Sequence, residues 1–193
     1  MPLTMSMPVA QLLREGTAPA HAKTEKVLAP KLSSIRSYED YSSILKMFYG
    51  FFYPLEKIIR YYVTEDILTD IKERRNSLFI VSDLKAIGHS HEEIQVCKEL
   101  PEINCSLEAL GSLYVLEGST LGGSMICKLL KKNSLVSFDE SNLHFFSGYK
   151  ENTGSKWMGF LSVIDQYGED ANLIVAAANQ TFTCLTKWME KSL

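Results

Sequence analysis

The sequence is short of strand signals, metal-type cysteine spacing and surplus charge. There is no Asn-Gly or Asp-Gly dipeptide and no sustained apolar–polar alternation, which argues against hairpins and sheets. Without strands, a nucleophile elbow, a Walker loop or a strand-borne GxGxxG has nowhere to sit. The four cysteines, Cys97, Cys105, Cys127 and Cys184, show no CxxC or other metal spacing and are expected as free thiols in a reducing compartment. Twenty basic and 23 acidic residues leave a net charge of −3, and Arg74-Arg75 and Lys131-Lys132 are the only basic runs. A nucleic-acid partner, which needs a basic stripe interleaved with aromatics, is therefore not expected. No apolar run is long enough to cross a bilayer, and no charged n-region precedes an apolar h-region at the N-terminus. The expectation is a soluble, cytoplasmic chain with no membrane partner.

What is present is helical periodicity. With 193 residues, 46% of them apolar, the chain is expected to form one domain (1–193) with a sizeable core. The Met- and Pro-rich residues 1–7 are expected to fray. A first helix is predicted from about Val9 to Leu28, with Thr17 a candidate cap beside Pro19 and Pro30 ending it. A second is predicted from Ser37 to Val63, bent by Gly50 and Pro54. Thr64–Asp66 is a candidate cap for a short helix through Ile71. Further helices are expected over Arg75–Ile87, closed by Gly88, and briefly after His91. A long one spans Leu107–Leu130, residues 133–148 read as irregular, and Thr153–Gln166 and Glu169–Lys191 finish the chain. The prediction is seven or eight helices around one core, an all-α fold.

The most unusual stretch is YVLEGSTLGGSMI, Tyr114–Ile126, which places Gly118, Gly122 and Gly123 inside an apolar helical pattern. Each interior glycine costs about 1 kcal/mol relative to alanine, so three forfeit roughly 2–3 kcal/mol. Two readings account for them: close helix–helix packing, or a flat ligand lying on bare backbone over a helix that bends to admit it. In the first helix, LREGTAPAHAKTE sets Arg14, Thr17, His21 and Glu25 on one side at spacings of three and four. Glu25 lies one turn beyond His21, where a carboxylate can take the second ring N–H of a metal-ligating histidine. Arg14 is placed for an anionic ligand group. His89 and His91 sit in a polar stretch and His144 beside Phe145 and Phe146, none with zinc-site spacing.

Together, LREGTAPAHAKTE, then LGSLYVLEGSTLGGSMI about ninety residues later, then FFSGYKENTGSKWMGFLSVID resemble the heme oxygenase family in its bacterial branch. The match spans nearly the whole chain and keeps the family's order. The resemblance implies an all-α fold with heme b, both cofactor and substrate, between a proximal helix and a kinked distal one. It makes His21 the iron ligand, Glu25 its partner, and Gly118, Gly122 and Gly123 the distal glycines. Tyr114 and Phe182 would line the heme. It implies O2-dependent opening of the ring to biliverdin, carbon monoxide and iron, with electrons from an external reductase, ferredoxin or flavodoxin. A biliverdin-accepting photoreceptor is a further implied partner, and a non-catalytic heme carrier is the alternative. Two departures stand out. Ser119 occupies the place of the distal aspartate of mammalian-type members, so Ser119 and Thr120 hydroxyls would have to hold the distal water. Met158 and Ser162 stand where cations meet the heme propionates, leaving Arg14, Lys150 and Lys156 as anchor candidates.

Overall fold

The computed structural model describes residues 7–192, so of the residues expected to fray, 1–6 lie outside the described part. Among the described residues the chain is helical and no strand occurs. The α-helices are α1 (Val9–Ser33), α2 (Tyr38–Tyr62), α3 (Leu78–Ala86), α4 (Ser106–Lys131), α5 (His144–Ser147), α6 (Thr153–Ile164) and α7 (Ala171–Ser192). No described helix is long and apolar enough to cross a membrane. The all-α expectation holds. α7 packs along both α1 and α4, and α2 supplies much of the core through Tyr41, Phe48, Phe51 and Phe52.

Local chemistry explains several boundaries. Ser37 caps α2 by accepting the Asp40 N–H at 3.1 Å, and Asp40 reaches back to the Ser37 N–H at 3.1 Å, a reciprocal capping box. α3 ends where Gly88 takes φ +78°. There the His89 N–H donates to Leu84 O at 2.9 Å and the Gly88 N–H to Lys85 O at 3.1 Å, the Schellman pattern that favours glycine.

Other expectations need correction. α1 does not stop at Pro30 but runs to Ser33 with Pro19 and Pro30 both inside it. Both prolines are exposed, so the carbonyls they leave without an N–H partner face water. Thr17 is no cap: it lies buried inside α1 and its hydroxyl donates to Leu13 O at 2.7 Å. Residues 65–67 form turns rather than a helix and lead to a 3₁₀ turn at Ile71–Glu73. α3 begins three residues later than expected, and the short helix after His91 does not form. That segment instead lies across α2 for a definite reason. Pro54 has no N–H to give Gly50 O, its partner four residues back, and the Cys97 N–H donates to that carbonyl at 2.8 Å. Gly50 also admits the approach, because a Cβ there would stand 2.5 Å from Gln95 O. His144 is not in a loop but heads α5. The buried carboxylate of Asp83 accepts the His144 N–H at 2.7 Å, the Phe145 N–H at 2.9 Å and lies 2.9 Å from His144 Nδ1.

Candidate active site

A cavity of about 360 Å³ opens between α1 and α4, within the size range of small-molecule sites. α1 contributes Arg14, Thr17, His21 and Glu25, the face that helical spacing placed together. α4 contributes Tyr114, Gly118, Ser119 and Gly122. Phe48, Phe52, Phe145, Phe146, Trp157 and Phe182 complete an aromatic wall.

His21 sits at the rim with 54% of its side chain exposed, and its Nδ1 lies 3.7 Å from Glu25 Oε2. That contact leaves Nε2 as the ring nitrogen free of the carboxylate. Phe182 stands edge-on to the imidazole, with centroids 5.5 Å apart and planes at 82°, which limits rotation of the ring. Tyr114 on α4 and Thr17 on α1 both line the cavity, and burial pushes the Tyr114 phenol above the usual range.

The three glycines of α4 divide between the two readings. A Cβ on Gly122 would meet nothing within 4 Å, and one on Gly118 would make only ordinary contact with Trp157 at 3.6 Å. Both line the cavity with bare backbone. Gly123 does not line it: a Cβ there would stand 1.9 Å from Phe146 O, so Gly123 is the seat on which α5 packs. The helical hydrogen bonding of α4 continues across all three.

The structure also relocates the polar residues. The hydroxyl of Ser119 donates to Leu116 O at 2.6 Å and its oxygen accepts from Arg75 Nη2 at 2.7 Å. Thr120 donates to Glu117 O at 2.6 Å. Both hydroxyl protons are thus committed to α4's own backbone, a bonding pattern that bends helices, so either hydroxyl can meet distal water only as an acceptor. Arg75, buried on the cavity wall, was missed as a site residue. Its guanidinium also donates to Leu116 O at 2.7 Å and lies 4.4 Å from the centroid of the Phe145 ring. Burial pulls its pKa below the usual arginine value. The only sequence signal was a basic pair two residues ahead of the apolar run LFIV.

Lys150 and Lys156 are not at the cavity. Lys150 pairs with Glu140 at 3.5 Å on the surface. Lys156 holds Asp70 at 2.8 Å and Glu73 at 3.3 Å. Asp70 also accepts from Arg74 Nε at 2.9 Å. Burial works against the Asp70 carboxylate, but Lys156 and Arg74 outweigh it and hold its pKa below the usual range. A carboxylate with a lowered folded-state pKa contributes stability above its unfolded pKa and loses it as pH falls through the folded value. Asp70→Asn is therefore expected to lower stability by about 1–2 kcal/mol near neutral pH. The difference from wild type should close as pH drops below about 4, the unfolded aspartate value. Thermal melts across pH 2.5–7 check this; a gap that persists in acid would refute the ion-pair account.

Among the described residues, no group of three or more His, Cys, Asp or Glu that could hold a bare metal ion occurs. Comparison with known proteins follows the same lines as the geometry. The chain superposes on the heme oxygenase of Neisseria meningitidis, solved with NO and CO bound, with a TM-score of 0.78 over 96% of this chain and 92% of that one, at 21% sequence identity. A search of curated proteins returns no match. The heme oxygenase family profile matches residues 7–191, nearly the full length of a helical chain whose cavity sets a histidine wall against a glycine wall. The chain belongs to the heme oxygenase family.

Proposed function

We propose that this protein binds heme b in the α1–α4 cavity and opens it with O2 and electrons from a separate donor protein, a reductase, ferredoxin or flavodoxin, to biliverdin, carbon monoxide and Fe(II). The observation that carries this reading is the single cavity shared by His21 on one wall and the uncovered backbone of Gly118 and Gly122 on the other. A lone imidazole suits a metal that brings its own equatorial ligands, and a glycine surface admits a flat macrocycle. The iron porphyrin, when bound, supplies the O2-activating redox chemistry. His21 would hold the heme iron through Nε2, the ring nitrogen not facing Glu25. Glu25, 3.7 Å from Nδ1, is the carboxylate placed to accept the Nδ1–H on a small side-chain movement, which would fix the tautomer and raise ligand basicity. Phe182 holds the imidazole plane, and Tyr114 and Thr17 line the cavity beside it.

On the glycine side, the absence of side chains leaves room for a diatomic ligand. The fixed cation there is Arg75, whose guanidinium replaces the missing carboxylate as the organising charge while Ser119 serves as its acceptor. The proton needed at the distal face therefore comes from solvent in the cavity rather than from the Ser119 hydroxyl, whose hydrogen is spent on Leu116 O. Arg14 is the cation left on the exposed rim for the propionates.

Titrating hemin into purified apoprotein while following the Soret band, then adding ascorbate or a reductase under oxygen, tests the reading. One-to-one uptake with a histidine-type spectrum that decays to biliverdin absorbance is expected. Stable heme under those conditions would favour a heme carrier, and absence of stoichiometric uptake would refute heme binding outright.

A further inference from the structure

On the face of α4 turned away from the cavity lies a polar cluster of Glu117, Arg74 and Tyr149, to which the proposed reaction assigns no role. Glu117, directly before Gly118, is 2% exposed. Its Oε2 accepts from Arg74 Nη1 at 2.6 Å and its Oε1 from the Tyr149 hydroxyl at 2.8 Å. The oxygen of that same hydroxyl accepts the backbone N–H of Arg75 at 2.8 Å. Arg75 then turns its guanidinium onto Leu116 O and Ser119 Oγ, each at 2.7 Å. The bonds close a ring that leaves α4 at Glu117 and returns to it one residue before and two residues after.

We infer that Glu117 and Tyr149 are positioning residues: through this ring they set the rotation of α4 that presents Gly118 and Gly122 to the cavity, and they hold the Arg75 guanidinium at Ser119. The inference rests on the heme-opening reading for its catalytic consequence, but its geometry belongs to the chain alone. A buried ion pair such as Arg74–Glu117 is poor evidence of net stabilisation, because desolvation offsets most of its attraction. Fixing one orientation of a helix is the use such a pair serves best. Leu116 O shows why an orientation has to be fixed. It accepts from both Ser119 and Arg75, so without the ring this one carbonyl has competing donors and the helix can bend in more than one way.

Tyr149→Phe is the clean test, since it removes one oxygen and keeps the packing. Hemin affinity is expected within about threefold of wild type, while turnover falls about tenfold, the scale of lost outer-sphere support. In the apoprotein, hydrogen exchange of backbone amides 118–123 should quicken by about tenfold. Glu117→Gln, which keeps an acceptor oxygen, should retain more turnover than Glu117→Ala. Wild-type exchange and wild-type turnover in Tyr149→Phe would overturn the inference. So would losses of affinity and melting temperature in step with turnover, which mark a merely structural cluster. If wild-type protein binds hemin without opening it, the proposed function fails, and the exchange measurement on apoprotein still decides this inference.

Discussion

His21→Ala is expected to lower heme turnover by at least about 100-fold, more than the loss typical of an outer-sphere partner. It should also replace the histidine-type heme spectrum with that of a weakly ligated species. The loss should come without unfolding. His21 lies at the cavity rim, 54% exposed, its contacts Glu25 at 3.7 Å and the edge of Phe182. Exposed substitutions of this kind stay within about 0.5 kcal/mol, and alanine is the better helix former. Added imidazole should restore the spectrum and part of the turnover, because the deleted ring leaves a space of its own shape open to solvent. A His21→Ala protein with wild-type spectrum and rate would place the iron ligand elsewhere.

Adjacent glycines should give opposite results when filled. Gly122→Leu is expected to leave the apoprotein as stable as wild type or up to about 1 kcal/mol more stable, since it removes a helix-interior glycine and the new Cβ meets nothing. Its side chain would nonetheless enter the cavity where the proposed heme would lie, so turnover should fall steeply, and further than heme uptake does. Gly123→Ala is expected to do the reverse. Its single methyl carbon would stand 1.9 Å from Phe146 O, so α5 must shift, costing about 1–3 kcal/mol. For a chain of this length that is roughly 2–4 °C of melting temperature per kcal/mol. Turnover of the fraction that folds should be reduced less, because Gly123 does not touch the cavity. Apoprotein melts beside turnover assays read both variants. If Gly122→Leu destabilised the apoprotein and Gly123→Ala left it unchanged, the assignment of packing to one glycine and ligand contact to the other would be reversed.

Much of the site was legible because it is local. Arg14, Thr17, His21 and Glu25 share a side of α1 through the 3.6-residue period alone, and no distant contact is needed to put them there. The density of helical periodicity and the want of strand signals likewise settled the all-α class. Glycine spacing marked α4 as the unusual helix, and the resemblance joined it to His21.

What the sequence left open was in each case decided by chain that returns from far away. Pro54 frees the Gly50 carbonyl locally, but only the fold brings Cys97 to it, turning an expected helix after His91 into an extended crossing. Gly118, Gly122 and Gly123 are chemically identical in the sequence. α5 packing against one and open cavity beside the others tells them apart. Lys150 and Lys156 read as propionate anchors until Glu140, Asp70 and Glu73 claimed them. Arg75 became a cavity residue because Leu116, Ser119 and Phe145 surround it. Periodicity is a property of covalent geometry and survives in the sequence. What stands opposite a residue depends on burial and hydrogen bonding across the whole chain, and only the folded structure supplies that.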